Sequence, residues 1–457
     1  MPPQNRQLTR RLQLAVAVLV TVLNAATAAA SEGAAGAVDP YGAHDAGGFL
    51  NVLTPGEAGS DNAAQLALFE LNGTRPAHFA DQAPLYEGLL GAAPSLTDSN
   101  LGNYFKDATF GVRPGKVESS ISPEPGLTVL RDSQYGVPHV YGKTRAEVMY
   151  GAGYAAAQDR LFMMDVLRHT ARAQLSSFVG GDPANRQMDR DVWAQAPYTQ
   201  KDLHRQIAAA PRLYGAAGRA VIRDGRNYVA GVNAFIDKAR TDATLLPSEY
   251  AAIGKLPAPW HLTDSVAEAS LIGIEQGQGG GGELNSALTE QAFERRFGKR
   301  AGRRSWLDFR ERNDPESPTT VSRRFPYRNG DPFAPRGLAM PDVGSVSMTP
   351  PGPPLKSTAK ATATPTGGSS GLGASIGRAL LHSIHNSGAD SNALLVRSGE
   401  SNTGHPIAVM GPQVDYYSPE ILMEEDLHGP GIDARGAAFP GVNQYVQLGH
   451  GRDYAWS

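Results

Sequence analysis

At Asp390-Ser391-Asn392 a long stretch rich in Pro, Gly, Ser and Thr gives way to the apolar run Ala393-Leu394-Leu395-Val396. A loose tether ending at a hydroxyl residue that opens a buried strand is the arrangement expected if the tether is excised and Ser391 becomes a new N-terminus. The freed amine then sits a few bonds from its own hydroxyl, so a single residue supplies both nucleophile and general base for acyl transfer. With a reference pKa of about 7.7 to 8.0, such an amine keeps a useful neutral fraction near neutral pH. Ser391 Oγ would first attack the carbonyl of Asp390, converting that amide to an ester which water opens.

Such a residue needs a rigid mount. Asn392 to Val396 and Ile407 to Met410 are apolar strand candidates joined by a polar, Gly-containing loop. An antiparallel hairpin there pairs positions whose numbers sum to about 803, which sets Ser391 opposite about residue 412. Gly411-Pro412-Gln413 then lies beside the nucleophile, with Gln413 able to hydrogen-bond the new amine or orient a substrate.

Upstream, Leu127 to Asp132 reads as a strand, followed by a turn at Tyr135 to His139 and a second short strand at Val140-Tyr141. Thr144 with Glu147 three residues later is a capping box that starts a helix. Leu161, Met164, Leu167, Ala171, Leu175 and Phe178 recur at three- and four-residue steps, which predicts a helix with one buried face, ended by Gly180-Gly181 and Pro183. Asp159, Arg160, Asp165 and Arg168 are read as a structural ion-pair network on the rim of that face. Residues 202–290 read as mostly helical. The glycine run 277–282 lacks the preceding strand and the following Lys-Ser/Thr of a phosphate cradle, so it is read as a turn.

Composition narrows the rest. The chain has 457 residues, 41% of them hydrophobic, which is enough for large cores and two or three domains. A net charge of −3 gives no electrostatic case for nucleic acid. Zero cysteines excludes disulfides and thiolate chemistry. Arg6, Arg10 and Arg11 precede the apolar run Leu12 to Leu23 and then small residues Ala26 to Ala30, an export signal over 1–30 that predicts a secreted or periplasmic protein. The run is shorter than the ~20 residues a membrane span needs, and no other segment qualifies. Residues 31–126 are rich in Gly, Ala, Asp and Pro, with one short helical piece at Asn62 to Leu71 and no function legible. Residues 313–390 hold ten prolines, six spaced and four clustered at 350–354, before a Thr/Gly/Ser tail and read as a linker or spacer.

Several blocks, in order, resemble the penicillin amidase family of N-terminal-nucleophile hydrolases. They are Arg131-Asp132 with Tyr135-Gly136-Val137-Pro138-His139, Gly151-Ala152-Gly153-Tyr154, Ala157-Gln158-Asp159-Arg160-Leu161-Phe162, Gly411-Pro412-Gln413, Leu427-His428-Gly429, Phe439-Pro440-Gly441, and Gly449-His450-Gly451 to Ala455-Trp456. The resemblance implies an α+β fold, the αββα four-layer sandwich, incomplete in this chain. It divides the chain into an α-subunit-like region, 127–312, a removable spacer, 313–390, and the start of a β-subunit-like catalytic region, 391–457. It implies cleavage between Asp390 and Ser391, a polar supporting role for Gln413, and hydrolysis of small N-acylated compounds such as penicillins, lipopeptides or acyl-homoserine lactones. The two products of the precursor are each other's partners, and no organic cofactor is expected. Glu283 resembles the Glu that gives one oxygen to a structural calcium in family members that hold one. Asp390 departs from the small or hydroxyl residues usual before the nucleophile. The oxyanion-hole donors of the family lie beyond Ser457, so this polypeptide is expected to be the amino-terminal part of a longer precursor, inactive alone.

Two other classes compete. A zinc amidase would draw on His382 and His385 with His405, His428 or His450, but the i, i+3 spacing of the first two has no Glu-x-x-His context. A non-catalytic secreted binding protein would keep its linker intact.

Overall fold

Every residue of Leu127–Asp132 is buried, although only alternate side chains of a strand can face one core. The strand is therefore covered on both faces, and this governs the architecture. The computed structural model describes residues 36–276, 282–309, 340–345, 393–411 and 420–457, apart from 46, 54–60, 82–84, 86–87, 89–90, 98 and 403. The export segment 1–30 and nearly all of the spacer 313–390 lie outside the described residues. The chain divides into two compact units, Met1–Ile272 with Gly368–Ser457, and Gly273–Gly367.

In the first unit, strand β1 (Leu50–Asn51) pairs with β2 (Lys106–Asp107). Between them, helix α1 (Ala63–Asn72) opens on an Asn62/Gln65 capping box. Then come β3 (Val117–Ile121), β4 (Leu127–Asp132), β5 (Pro138–Gly142), α2 (Arg145–Ala171), α3 (Leu175–Val179), α4 (Pro183–Gln195), α5 (Gln200–Ala239), α6 (Ser248–Ile253) and α7 (Leu262–Gln276). In the second unit α8 (Gly282–Phe297) and α9 (Lys299–Phe309) form a helical hairpin. Gly298 turns the chain at φ 79°, and Trp306 donates its indole N–H to the Ser286 carbonyl at 3.0 Å. Back in the first unit lie β6 (Ala393–Val396), β7 (Ile407–Met410), β8 (Met423–Gly429), β9 (Ile432–Ala438), β10 (Leu448–His450) and β11 (Ala455–Trp456).

The main sheet runs β11-β10-β9-β8-β5-β4-β3. All its pairings are antiparallel except β5 with β8, where His139 lies opposite Asp426. One face sends Leu127, Val129, Val140, Met423 and Leu427 into a core shared with α2 and α5. The class is α+β, as the sequence predicts.

The capping box at Thr144 and Glu147 starts α2 as expected. The single buried face does not hold, because α2 is buried nearly all round, including Gly151 to Ala157. It is squeezed between sheet and α5, and only small residues fit. A Cβ on Gly151 would stand 2.4 Å from Val140 Cγ1, and one on Gly153 would stand 2.0 Å from the Tyr228 carbonyl oxygen of α5. The reciprocal contact, Gly231 against the Tyr150 carbonyl, is 1.9 Å. Because the obstacle at Gly153 is backbone, Gly153→Ala is expected to force the helices apart at a cost of about 3 kcal/mol. The melting temperature measured by calorimetry should fall by roughly 5 °C or more.

The same squeeze moves the α2 charges from the rim into the interior. Asp159, Arg160, Asp165 and Arg168 are each at most 4% exposed. Arg131 of β4 holds Asp159 at 2.6 Å, and Arg168 pairs with Asp165 at 2.5 Å and reaches Asp264 of α7 at 3.5 Å. At Arg160 the helix kinks (φ −136°, ψ 18°) and the guanidinium leaves its surface.

β6 and β7 pair from Ala393↔Met410 to Val396↔Ile407, the register the loop predicts. They form a separate two-stranded sheet. The strand expected to be buried is instead open, with Leu394 and Leu395 each 65% and Val409 62% exposed. Among the described residues no third strand pairs with it. None of the described helices is long and apolar enough to cross a membrane.

Candidate active site

Asp390, Ser391 and Gln413 lie outside the described residues, and the structure describes what flanks them. Ser391 stands two positions before Ala393, the first residue of β6, and Gln413 three positions after Met410, the last of β7. At this end of the hairpin the Gly411 carbonyl accepts a hydrogen bond from the Ser457 hydroxyl, just past β11. The edge of the main sheet thus meets the hairpin beside the segment that holds Gln413. On the far side of that segment, Arg160 donates from Nε to the Glu420 carbonyl at 2.8 Å. The kinked helix therefore anchors the chain where it re-enters the core. Glu283 falls in the first turn of α8, and its side chain lies outside the described residues. One carboxylate falls short of the six or more oxygens calcium takes. Among the described residues no group of three or more His, Asp or Glu is disposed to hold a metal.

The second face of the main sheet is polar and yet buried. β8 presents Glu424, Asp426 and His428 at alternate positions, all at most 3% exposed. Glu424 pairs with Lys106 of β2 and with Arg435 of β9, the latter at 2.8 Å, and accepts from Asn51 at 3.2 Å. Burial alone would raise the Glu424 carboxyl, but the two cations outweigh it and hold the group below its usual range. Asp426 receives the Gly111 amide at 2.8 Å and His139 Nδ1 at 2.6 Å on one oxygen, and its other oxygen lies in an ion pair 2.7 Å from His428 Nε2. His139 also reaches Asp132 at 3.4 Å, and His428 reaches Asp433 at 3.2 Å. The result is a file of alternating carboxylates and imidazoles across four strands, from Asp132 of β4 to Asp433 of β9. Burial pushes the His428 imidazole down, but Asp426 and Asp433 prevail and raise it to about 10. Burial likewise opposes ionisation of Asp426, and His428 and His139 hold it well below the carboxylate range regardless.

Sequence reasoning missed this network. Its signal was the period-two polar spacing of Glu424, Asp426 and His428, which on an open strand would mark a solvated face. Lys106, in a region with no legible function, carried no signal at all. Of the histidines weighed as zinc ligands, His382 and His385 lie outside the described residues. His428 is held by carboxylates, and His450 faces the Ala108 carbonyl at 2.6 Å and the Gly451 carbonyl at 2.8 Å.

Glu425 alone on β8 turns a carboxyl toward the helices, 1% exposed, with Oε1 lacking any hydrogen-bond partner. Burial, then the neighbouring Asp426, raises it to about 8. The folded protein therefore keeps a proton that the unfolded chain releases from the ordinary carboxyl value of 4.5 upward, and stability is lost as pH rises from there toward 8. Glu425→Gln removes that loss. In denaturant titrations the variant should gain on the wild type by on the order of 3 kcal/mol between pH 5 and pH 8. Equal differences at the two pH values would contradict the assignment.

The described sequence blocks singled out above thus fall on strands and turns of the main sheet and on helix α2, an α+β scaffold. Residues 127–457 match the family described as penicillin amidase, and the chain belongs to that family. It is 25% identical over 356 residues to penicillin G acylase of Escherichia coli, covering 75% of this chain and 39% of that protein. It is 31% identical over 157 residues to penicillin acylase 2 proenzyme of a Pseudomonas species, covering 34% and 18%. It is 27% identical over 176 residues to an acyl-homoserine lactone acylase of Pseudomonas fluorescens, covering 38% and 20%. The chain thus spans at most 39% of the length of these relatives. A solved thermostable penicillin G acylase from Alcaligenes faecalis shares 31% identity over 44% of this chain and 98% of that one, with a TM-score of 0.35.

Proposed function

We infer that the chain is the nucleophile-bearing part of an exported acylase precursor that hydrolyses the amide bond of small N-acylated compounds. The observation that supports this reading is the β6–β7 register, whose continuation by two residues would bring Ser391 opposite Pro412, next to Gln413, at the end of the hairpin whose Gly411 accepts from Ser457. Attack of Ser391 Oγ on the Asp390 carbonyl forms an ester as the amide C–N bond breaks, and water cleaves the ester, leaving a carboxylate on Asp390 and a free amine on Ser391. That amine then takes the Ser391 hydroxyl proton through a water while Oγ attacks the substrate amide. The amine product leaves carrying that proton, and water hydrolyses the acyl-serine ester. Gln413 orients amine or substrate. The acyl part is that of a penicillin, an acyl-homoserine lactone or a lipopeptide. The two chains produced stay together within an αββα sandwich, of which the second sheet would be built on β6 and β7. Glu283 is our candidate for one ligand of a structural calcium, and no step above depends on it.

Mass spectrometry of the mature exported product tests the reading. A chain beginning at Ser391, with amine release from N-acylated substrates, is expected. An uncut product that binds such compounds without turning them over would show a binding protein instead.

A further inference from the structure

The region before residue 127 precedes the matched family span, yet it supplies the cover for the polar sheet face. Ala108 donates its amide to the Phe49 carbonyl at 2.9 Å, and Phe110 donates its own to Asp45 at 2.6 Å. This small ribbon places two aromatic rings on one imidazole. Phe49 stacks on His450 with centroids 3.8 Å apart and planes within 8°, and Phe110 stacks with centroids 4.7 Å apart and planes within 17°. Two near-parallel rings at those distances hold the imidazole between them. The Ala108 carbonyl fixes His450 Nε2 at 2.6 Å in the same grip.

His450 ends β10, and there it pairs with Arg435 on one side and Ala455 on the other. β11 is a two-residue strand that, among the described residues, has β10 as its one neighbour in the sheet. Its mate is the strand the ribbon grips, and directly after it Ser457 reaches Gly411 of the hairpin. A contiguous line therefore runs from Phe49 and Phe110 through His450 and β11 to the end of β7.

We propose that the N-terminal ribbon, through the clamp of Phe49 and Phe110 on His450, positions the β10–β11 edge against the β6–β7 hairpin, making Phe49 and Phe110 positioning residues of the acylase. The proposal deepens the acylase reading and rests on it for its consequence, though its geometry stands apart from that reading. A cover that merely shields charge would need only the Lys106 pair. A clamp makes the order of the distant strands depend on the rings.

The test uses the complete gene product with Phe110→Ala, Phe49→Ala, the milder Phe49→Leu, and Phe49→Tyr, which keeps a ring. Hydrogen exchange followed by mass spectrometry should show amides of β10, β11 and β7 exchanging roughly tenfold faster in the Ala variants while α2 and α5 keep their protection. Appearance of the chain beginning at Ser391 should slow by a comparable factor, with Phe49→Leu intermediate and Phe49→Tyr restoring both. Faster exchange confined to residues 36–53 and 105–113 overturns the proposal, as does an unchanged cutting rate in a variant whose β7 is loosened. Should Phe110→Ala fail to fold, the half-buried Phe49 series decides. Should the wild type itself never be cut before Ser391, the acylase reading fails, and the exchange data still settle the clamp.

Discussion

Ser391→Ala is expected to leave the complete gene product as one uncut chain with acylase turnover lower by about four to six orders of magnitude. The size follows from two losses at one atom. Without Oγ there is no ester intermediate to open the bond after Asp390, so no amine is freed, and without that amine and hydroxyl there is neither base nor nucleophile. Ser391→Cys separates the two roles. A thiol attacks a neighbouring carbonyl readily, so cutting should persist, while amide turnover falls because the amine and thiol are no longer matched in basicity. Gel mobility with initial rates reads both. An alanine variant cut at the same bond, or one hydrolysing substrate at the wild-type rate, would sink the mechanism.

Glu424→Gln should be the most damaging single change in the polar sheet face, at about 4 kcal/mol, because it strips the counter-ion from two buried cations, Lys106 and Arg435, at once. Lys106→Met should cost less, about 1 to 2 kcal/mol. Burial already lowers the Lys106 ammonium from its ordinary range, with Glu424 only opposing that shift, and Glu424 keeps Arg435 when Lys106 is gone. The double variant should fall well short of the sum of the two singles, since the removed groups are each other's main partner. Urea unfolding of the four proteins gives the cycle. A Lys106→Met variant as unstable as Glu424→Gln would show that Arg435 does not hold the carboxylate, and strictly additive effects would show that Lys106 and Glu424 are not coupled.

The parts that were legible in sequence are local ones. The Thr144 capping box, the strand at Leu127 and the β6–β7 register each depend on residues a few places apart, and each is found where it was read. What was not legible depends on distant partners. Lys106 meets Glu424 across 318 positions, so nothing local to β8 tells that its period-two charges are sealed from water. The α2 charges looked like a rim because periodicity identifies one apolar face and says nothing of a second layer that small residues such as Gly153 admit. Apolar composition gave a buried strand at Leu394, whereas burial depends on which neighbours arrive, and the described residues bring only β7. Ser391, Gln413 and Glu283 rest on motif and register.

The parallel seam between β5 and β8 joins chain from before residue 390 to chain from after Ser391. Under the proposed cut before Ser391, the two products would share one woven sheet, and neither would own a finished core. Separating them means unravelling that seam, and rejoining becomes a meeting of two molecules where folding was once a matter for one. Heat should therefore be survivable for the uncut precursor and, in dilute solution, ruinous for the mature pair.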